Sequence, residues 1–222
     1  MFEIINTATE EEIEDEYVAI GCYIDENKIP YHSVLIIRFS NQTFQYHYPG
    51  FAGVGILMKK NIEKNCFHKI TKTIDKKIIP AFIVMCKRIM KTSNPKYGYF
   101  YSGEYYDNNG QHFSNKAIGE TMTCAGFCVN ILKGFLESDY LFYEDWSQTS
   151  YPTDDYLDKF ALRHELVKDD IAISHRRISP LELLCSGFFS QLPIRKTQID
   201  SKTENTQEYL KNYQKRPPTE IQ

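Results

Sequence analysis

Cys124 stands in Thr123-Cys124-Ala125-Gly126-Phe127-Cys128, where an apolar repeat begins. Phe127/Cys128, Ile131/Leu132 and Phe135/Leu136 recur every four residues, which is the spacing of one helical face. Thr121 or Thr123 can cap that helix, which then runs to about Leu136. A cysteine in the first helical turn meets unpaired backbone amides and the positive end of the macrodipole. Both favour the thiolate, the reactive form of cysteine. The same amides can donate to an oxyanion, so one feature could activate a nucleophile and stabilise what it forms. Ala125 and Gly126 are small and leave room for a substrate. The competing reading makes Cys124 the first buried residue of the Cys128–Ile131 register, where cysteine is a small inert hydrophobe.

A thiol nucleophile needs a base, normally histidine, and a polar group that orients it. His32 opens His-Ser-Val-Leu-Ile-Ile-Arg-Phe, the strongest strand pattern in the chain. Ser40-Asn41 can make a two-residue turn, and Gln42 to Tyr48 returns as a second strand. Counting back from that turn places His47 opposite Val34. Side chains at 32, 34 and 47 then share one sheet face, with His32 and His47 as diagonal neighbours. Gln45 could take the third role in place of His47. His175 follows the cysteine in the chain and is the second candidate base. His164 falls in a predicted helix and His112 in a polar loop, both read as surface residues. His68, beside Cys66, reads as structural.

Several function classes are disfavoured by composition. The chain has 222 residues, a formal net charge of −3 and a pI near 6.1. It lacks the basic footprint of a nucleic-acid-binding protein. With 42% hydrophobic residues it can bury a sizeable core. No apolar run is long enough for a transmembrane helix, and Met1-Phe2-Glu3 followed by an acidic run does not read as a secretory signal. The expected location is therefore the cytoplasm, or export without a signal peptide as an effector. Reduced thiols are the default for the six cysteines. There is no Cys-x-x-Cys pair. The nearest approach to a metal cluster, Cys66-Phe67-His68 with Cys124 and Cys128, matches no common ligand spacing, so no metal or other cofactor is expected.

The elements that must position these residues follow from periodicity and punctuation. Residues 17–23 read as a short strand. Residues 54–77, rich in lysine, read as a helix and a connector. Pro80 suits the first turn of a helix over Ala81 to Lys91. Residues 97–113 read as a loop with some extended structure. Asp154 to Leu166 is a predicted helix. Ser179 caps a last one, with Pro180 at its first position and Leu181 to Phe189 as its body. Beyond Pro193 the chain turns polar without periodicity. The division expected is a single catalytic domain over 1–195 and a polar tail over 196–222.

These residues carry a family resemblance. Thr-Cys-Ala-Gly-Phe-Cys-Val-Asn-Ile-Leu resembles the Asp-Cys-Ser-Gly-Phe-Val motif of the NlpC/P60 papain-like superfamily. His-Ser-Val-Leu-Ile-Ile, followed by a strand with a second histidine, looks like that superfamily's histidine strand. Here the histidine strand precedes the cysteine helix. That order is similar to the circularly permuted branch, which includes lecithin:retinol acyltransferase-like and YiiX-like proteins. The Tyr-Gly-rich segment Tyr97 to Asp107 also looks like that branch. The resemblance implies an α+β papain-like fold, a small antiparallel sheet packed on the cysteine helix with extra helices. It implies Cys124 as nucleophile, His32 as base and His47 as orienting residue. The activity implied is that of a thiol hydrolase, a peptidase or amidase, acting on a peptide, a peptidoglycan fragment or a lipid. The alternatives are a lipid acyltransferase or thioesterase of the same fold, and a non-catalytic module that binds a protein partner through Tyr97, Tyr99, Tyr101, Tyr105 and Tyr106.

Overall fold

The Ser40-Asn41 turn fixes the part of the fold that carries both candidate histidines. Both residues are left-handed, with φ of 49° and 58°. That is the primed turn whose twist matches two antiparallel strands. It joins β3 (Pro30–Phe39) to β4 (Gln42–His47). Pairing runs from Phe39↔Gln42 to Leu35↔Tyr46, the register counted from the sequence. A computed structural model describes residues 4–7, 15–50, 54–60, 62–98, 104–113, 120–146, 154–165, 167 and 177–213.

Four further strands complete an antiparallel sheet: β1 (Ile5–Asn6), β2 (Tyr17–Ile24), β5 (Leu57–Lys59) and β6 (Cys66–Ile70). Their spatial order is β1-β6-β2-β3-β4-β5. Residues 54–77 thus correct the expectation of a helix. They supply two strands, and only Lys76–Ile78 is helical, as a single 3-10 turn. The β6 strand lies between β1 and β2, and four of its five residues are buried. Gly21 sits where β2 is pressed between its neighbours. A Cβ there would lie 2.8 Å from Val34 Cγ2 and 3.2 Å from the Phe67 carbonyl oxygen.

One residue is inserted at the start of β3. Tyr23 pairs with His32 but Ile24 pairs with Pro30, so Tyr31 has no partner on β2. This is a β-bulge, which increases local twist and bends the strand that carries it.

The two faces of the sheet have different neighbours. Val18, Ile20, Leu35, Ile37, Tyr46 and Tyr48 pack against helices: α1 (Ile79–Thr92, Pro80 in its first turn) and α2 (Cys124–Lys133). On the other face Tyr17, Ala19, Tyr23, Val34, Ile36 and Cys66 form a separate apolar layer with Ile62 and Ile70. Short strands β7 (Lys96–Tyr97), β8 (Tyr105–Tyr106), β9 (His112–Phe113) and β10 (Thr121–Met122) pair as β7–β10 and β8–β9, within the stretch expected as a loop and just after it. The α3 helix (Asp154–His164) matches its predicted start. The α4 helix (Pro180–Ser186) carries the expected Ser179 cap, as a full capping box with Glu182.

The polar tail is a second correction. Residues 196–212 form α5 (Lys196–Asn212), the longest helix described. Its Leu210 is fully buried with Ile4, Phe67 and Leu184, and the Tyr209 hydroxyl donates to the Ile4 carbonyl at 3.0 Å. The described architecture is therefore mixed α+β, a six-stranded antiparallel sheet with five helices, and α5 belongs to its body.

Candidate active site

Thr123, not Thr121, caps the cysteine helix. Its hydroxyl accepts from the Gly126 amide at 3.0 Å, and its carbonyl accepts from the Phe127 amide at 2.8 Å. This leaves the amides of Cys124 and Ala125 turned towards the Cys124 sulfur, where both favour its charged form. The sulfur also accepts the Ser33 amide at 3.5 Å. Ser33 is free to donate because the β3–β4 ladder stops at Leu35↔Tyr46. Beyond that point β4 has left, and the thiol occupies the open side of β3.

The amides act in the expected direction, but burial opposes them. Burial pushes the Cys124 thiol above its ordinary pKa, and this outweighs the lowering by the Ser33 and Ala125 amides, the Ser33 hydroxyl and its own amide. The group rests as a neutral thiol. The other five cysteines are buried, whereas Cys124 is partly exposed.

His32 and His47 come together as counted from the hairpin. His32 Nε2 and His47 Nδ1 are 2.7 Å apart, with the rings edge to face at 5.0 Å. Burial lowers the pKa of His32 to about 4. Burial, then the neighbouring His32 and Lys59, lowers that of His47 to about 3. Both are neutral at pH 7, so one ring donates to the other. Tyr23 braces the pair. Its ring stacks on His32 at 5.7 Å and 14°, and meets His47 edge-on. The Tyr23 hydroxyl donates to Gln45 Oε1. Gln45 is thus tied to tyrosine rather than to a histidine. The far nitrogen of His47, Nε2, is buried without a hydrogen-bond partner.

No hydrogen bond joins the Cys124 sulfur to a histidine nitrogen among the described residues. Ser33 lies on the face of Leu35 and Ile37, which pack against α2, whereas His32 lies on the face of Val34 and Ile36. The thiol is held at the edge of β3 by the Ser33 backbone amide, whereas the His32 imidazole stands on the face of Val34 and Ile36.

The remaining candidates separate from this centre. His68 is fully buried in β6, with Nδ1 2.8 Å from Thr7 Oγ1 and Nε2 3.2 Å from the Tyr17 hydroxyl. The His112 side chain is buried rather than at the surface, with Nε2 3.1 Å from Glu104 Oε2. His164 ends α3, and His175 lies outside the described residues. Of the tyrosine cluster, Tyr106 is fully buried, Tyr105 stacks on Phe113 and Tyr97 is exposed; Tyr99 and Tyr101 lie outside the described residues. Sequence reasoning missed Ser33 and Tyr23. The signal for Ser33 was a small polar residue inside an otherwise apolar strand, directly after the candidate base.

No family model, curated protein or solved structure matches the chain. Among the described residues, no helix is long and apolar enough to cross a membrane.

Proposed function

We propose that this protein is a cysteine hydrolase of the circularly permuted papain-like kind, acting on an amide or ester through an acyl-thioester at Cys124. The observation that carries the reading is the joint anchorage on β3. The Ser33 amide grips the Cys124 sulfur, and the adjacent residue, His32, is locked to His47 at 2.7 Å. The order of a histidine strand before a capped cysteine helix, packed on an antiparallel sheet, supports the same reading.

The resting charges point to general-base chemistry rather than a preformed ion pair. In the productive tautomer His32 Nε2–H donates to His47 Nδ1, which leaves His32 Nδ1 unprotonated. That nitrogen is then the one left to take the thiol proton once substrate draws the two groups together. Catalytic hydrogen bonds are often long without substrate and tighten when it binds. His32 then takes the thiol proton as sulfur attacks the acyl carbon, and the Cys124 and Ala125 amides face the developing oxyanion. The protonated His32 gives its proton to the leaving group. Water, deprotonated by the same histidine, hydrolyses the thioester and restores the thiol.

p-Nitrophenyl acetate tests this. Wild type should release a burst of nitrophenolate matched by an acetyl adduct on Cys124 in the intact mass. Cys124→Ala should abolish both, and His32→Ala should slow the burst about a hundredfold or more. Equal release from Cys124→Ala, or an adduct on another residue, would sink the reading. A second reading, a non-catalytic binding module, is favoured by one observation, the lack of a histidine hydrogen bond to a thiol whose pKa is raised. It predicts no adduct at all.

A further inference from the structure

The Ser33 hydroxyl is one of the groups that lower the Cys124 pKa against burial. Ser33 is fully buried, and its Oγ makes no complete hydrogen bond to any group. A buried hydroxyl without a partner is destabilising, and alanine would fill the same space without that cost. Its own backbone amide fixes its place, because that amide donates to the Cys124 sulfur at 3.5 Å. Alternation directs the side chain to the α2 face, where Cys124 begins the helix. A neutral thiol is a weak acceptor, whereas a thiolate is a strong one.

We infer that the Ser33 hydroxyl is a further catalytic group, a donor held for the thiolate that Cys124 becomes during the reaction. Two donors from one residue, amide and hydroxyl, then face the anionic sulfur, with the Cys124 and Ala125 amides completing the set. The titratable neighbours do not supply a competing charge. Cys128 lies one turn along α2, Cys22 pairs with Ser33 across β2, and both thiols are raised by burial. His32 on β3 and His47 on β4 are neutral at pH 7. The inference deepens the hydrolase reading and rests on it for the reaction, but the ionisation of the thiol can be measured without a substrate.

The test is alkylation of the full chain by iodoacetamide between pH 6 and 10, followed at the Cys124 peptide by mass spectrometry. The thiolate sulfur forms the new bond to carbon, iodide leaves with the electron pair, and the thiol proton passes to solvent. In Ser33→Ala the inflection of rate against pH should rise by about one unit, the size expected for loss of one hydrogen bond to a charged group. At pH 7 the rate should fall only about threefold, because the less acidic thiolate is the better nucleophile. Ser33→Thr, which keeps the hydroxyl, should restore the wild-type inflection. The melting temperature of Ser33→Ala should equal or exceed that of wild type, which a merely structural serine would not allow. An unmoved inflection in Ser33→Ala, or in Ser33→Gly if the alanine variant does not fold, would overturn the inference. So would a shift that Ser33→Thr fails to reverse. A shifted inflection with no acetyl adduct from the nitrophenyl ester would leave the inference standing and remove the hydrolase reading; an adduct with an unmoved inflection would do the reverse.

Discussion

His68→Gln should change how this protein responds to acid. His68 is fully buried between Thr7 Oγ1 and the Tyr17 hydroxyl, and burial, aided by Lys69, lowers its pKa to about 3. In the unfolded chain the same imidazole titrates near 6.5. The folded pKa is the lower one, so the unfolded state takes up a proton that the folded state refuses. Stability is whole above pH 6.5 and falls as pH drops towards 3. By pH 4.5 the loss through His68 alone is about 2.7 kcal/mol, two units at about 1.36 kcal/mol each. That figure is set by the unfolded value as long as the folded one stays below about 4. Glutamine keeps a donor and an acceptor but does not titrate. At pH 7 the variant should be less stable by about 1–3 kcal/mol, from imperfect hydrogen bonding in a buried site. Urea unfolding followed by circular dichroism at pH 7, 6, 5 and 4.5 reads both curves. The difference between them should shift by about 2.5 kcal/mol in favour of the variant across that range. Parallel curves would refute the argument, because they would mean that His68 carries the same proton in both states.

Three other outcomes follow from elements already described. Wild-type Cys124 should be alkylated slowly at pH 6 and faster as pH rises through its raised pKa; a rate that is already flat below pH 7 would show a preformed thiolate instead. Thr123→Ala removes the acceptor for the Gly126 amide and should cost about 1 kcal/mol in urea unfolding, with Thr123→Ser close to wild type. Equal loss in both would mean that the cap is not the cause. Leu210→Ala should cost about 2–5 kcal/mol, whereas exposed Lys211→Ala should stay within about 0.5 kcal/mol; a neutral Leu210→Ala would return α5 to the status of a loose tail.

What the sequence disclosed was local. The hairpin register followed from turn chemistry, since two consecutive left-handed residues leave strand pairing little freedom. The cap at Ser179, and one at Thr121 or Thr123, followed from hydroxyls placed ahead of apolar repeats; the structure chose Thr123. The β6 strand did not show because both its faces are covered, so Cys-Phe-His-Lys-Ile carries no alternation of polar and apolar residues. Helix α5 did not show because its buried positions are Ile199, Thr206 and Leu210, with a threonine in the middle of the stripe. Its docking depends on partners more than a hundred residues away, such as Ile4 and Phe67. At the site, sequence reasoning brought the two histidines together and placed the thiol at a helix start. It could not reveal that the sulfur is held by a backbone amide at the edge of β3 while the imidazole stands on a face of the same strand. That arrangement depends on where β4 departs, and no local pattern encodes the departure.

The unpaired Tyr31 has a consequence for how this chain can vary. Pairing from His32 inward is set by the hairpin turn at the far end of β3, while Pro30 answers to β2 on the other side of the bulge. An insertion in the connection Glu26–Ile29 lengthens a loop that the Ile24↔Pro30 pair and the bulge at Tyr31 separate from His32. The histidine pair and the Ser33 amide would keep their positions. Sequence drift is therefore cheap on the outer side of that bulge, and the rim beside the site can be remodelled without disturbing the groups at its centre.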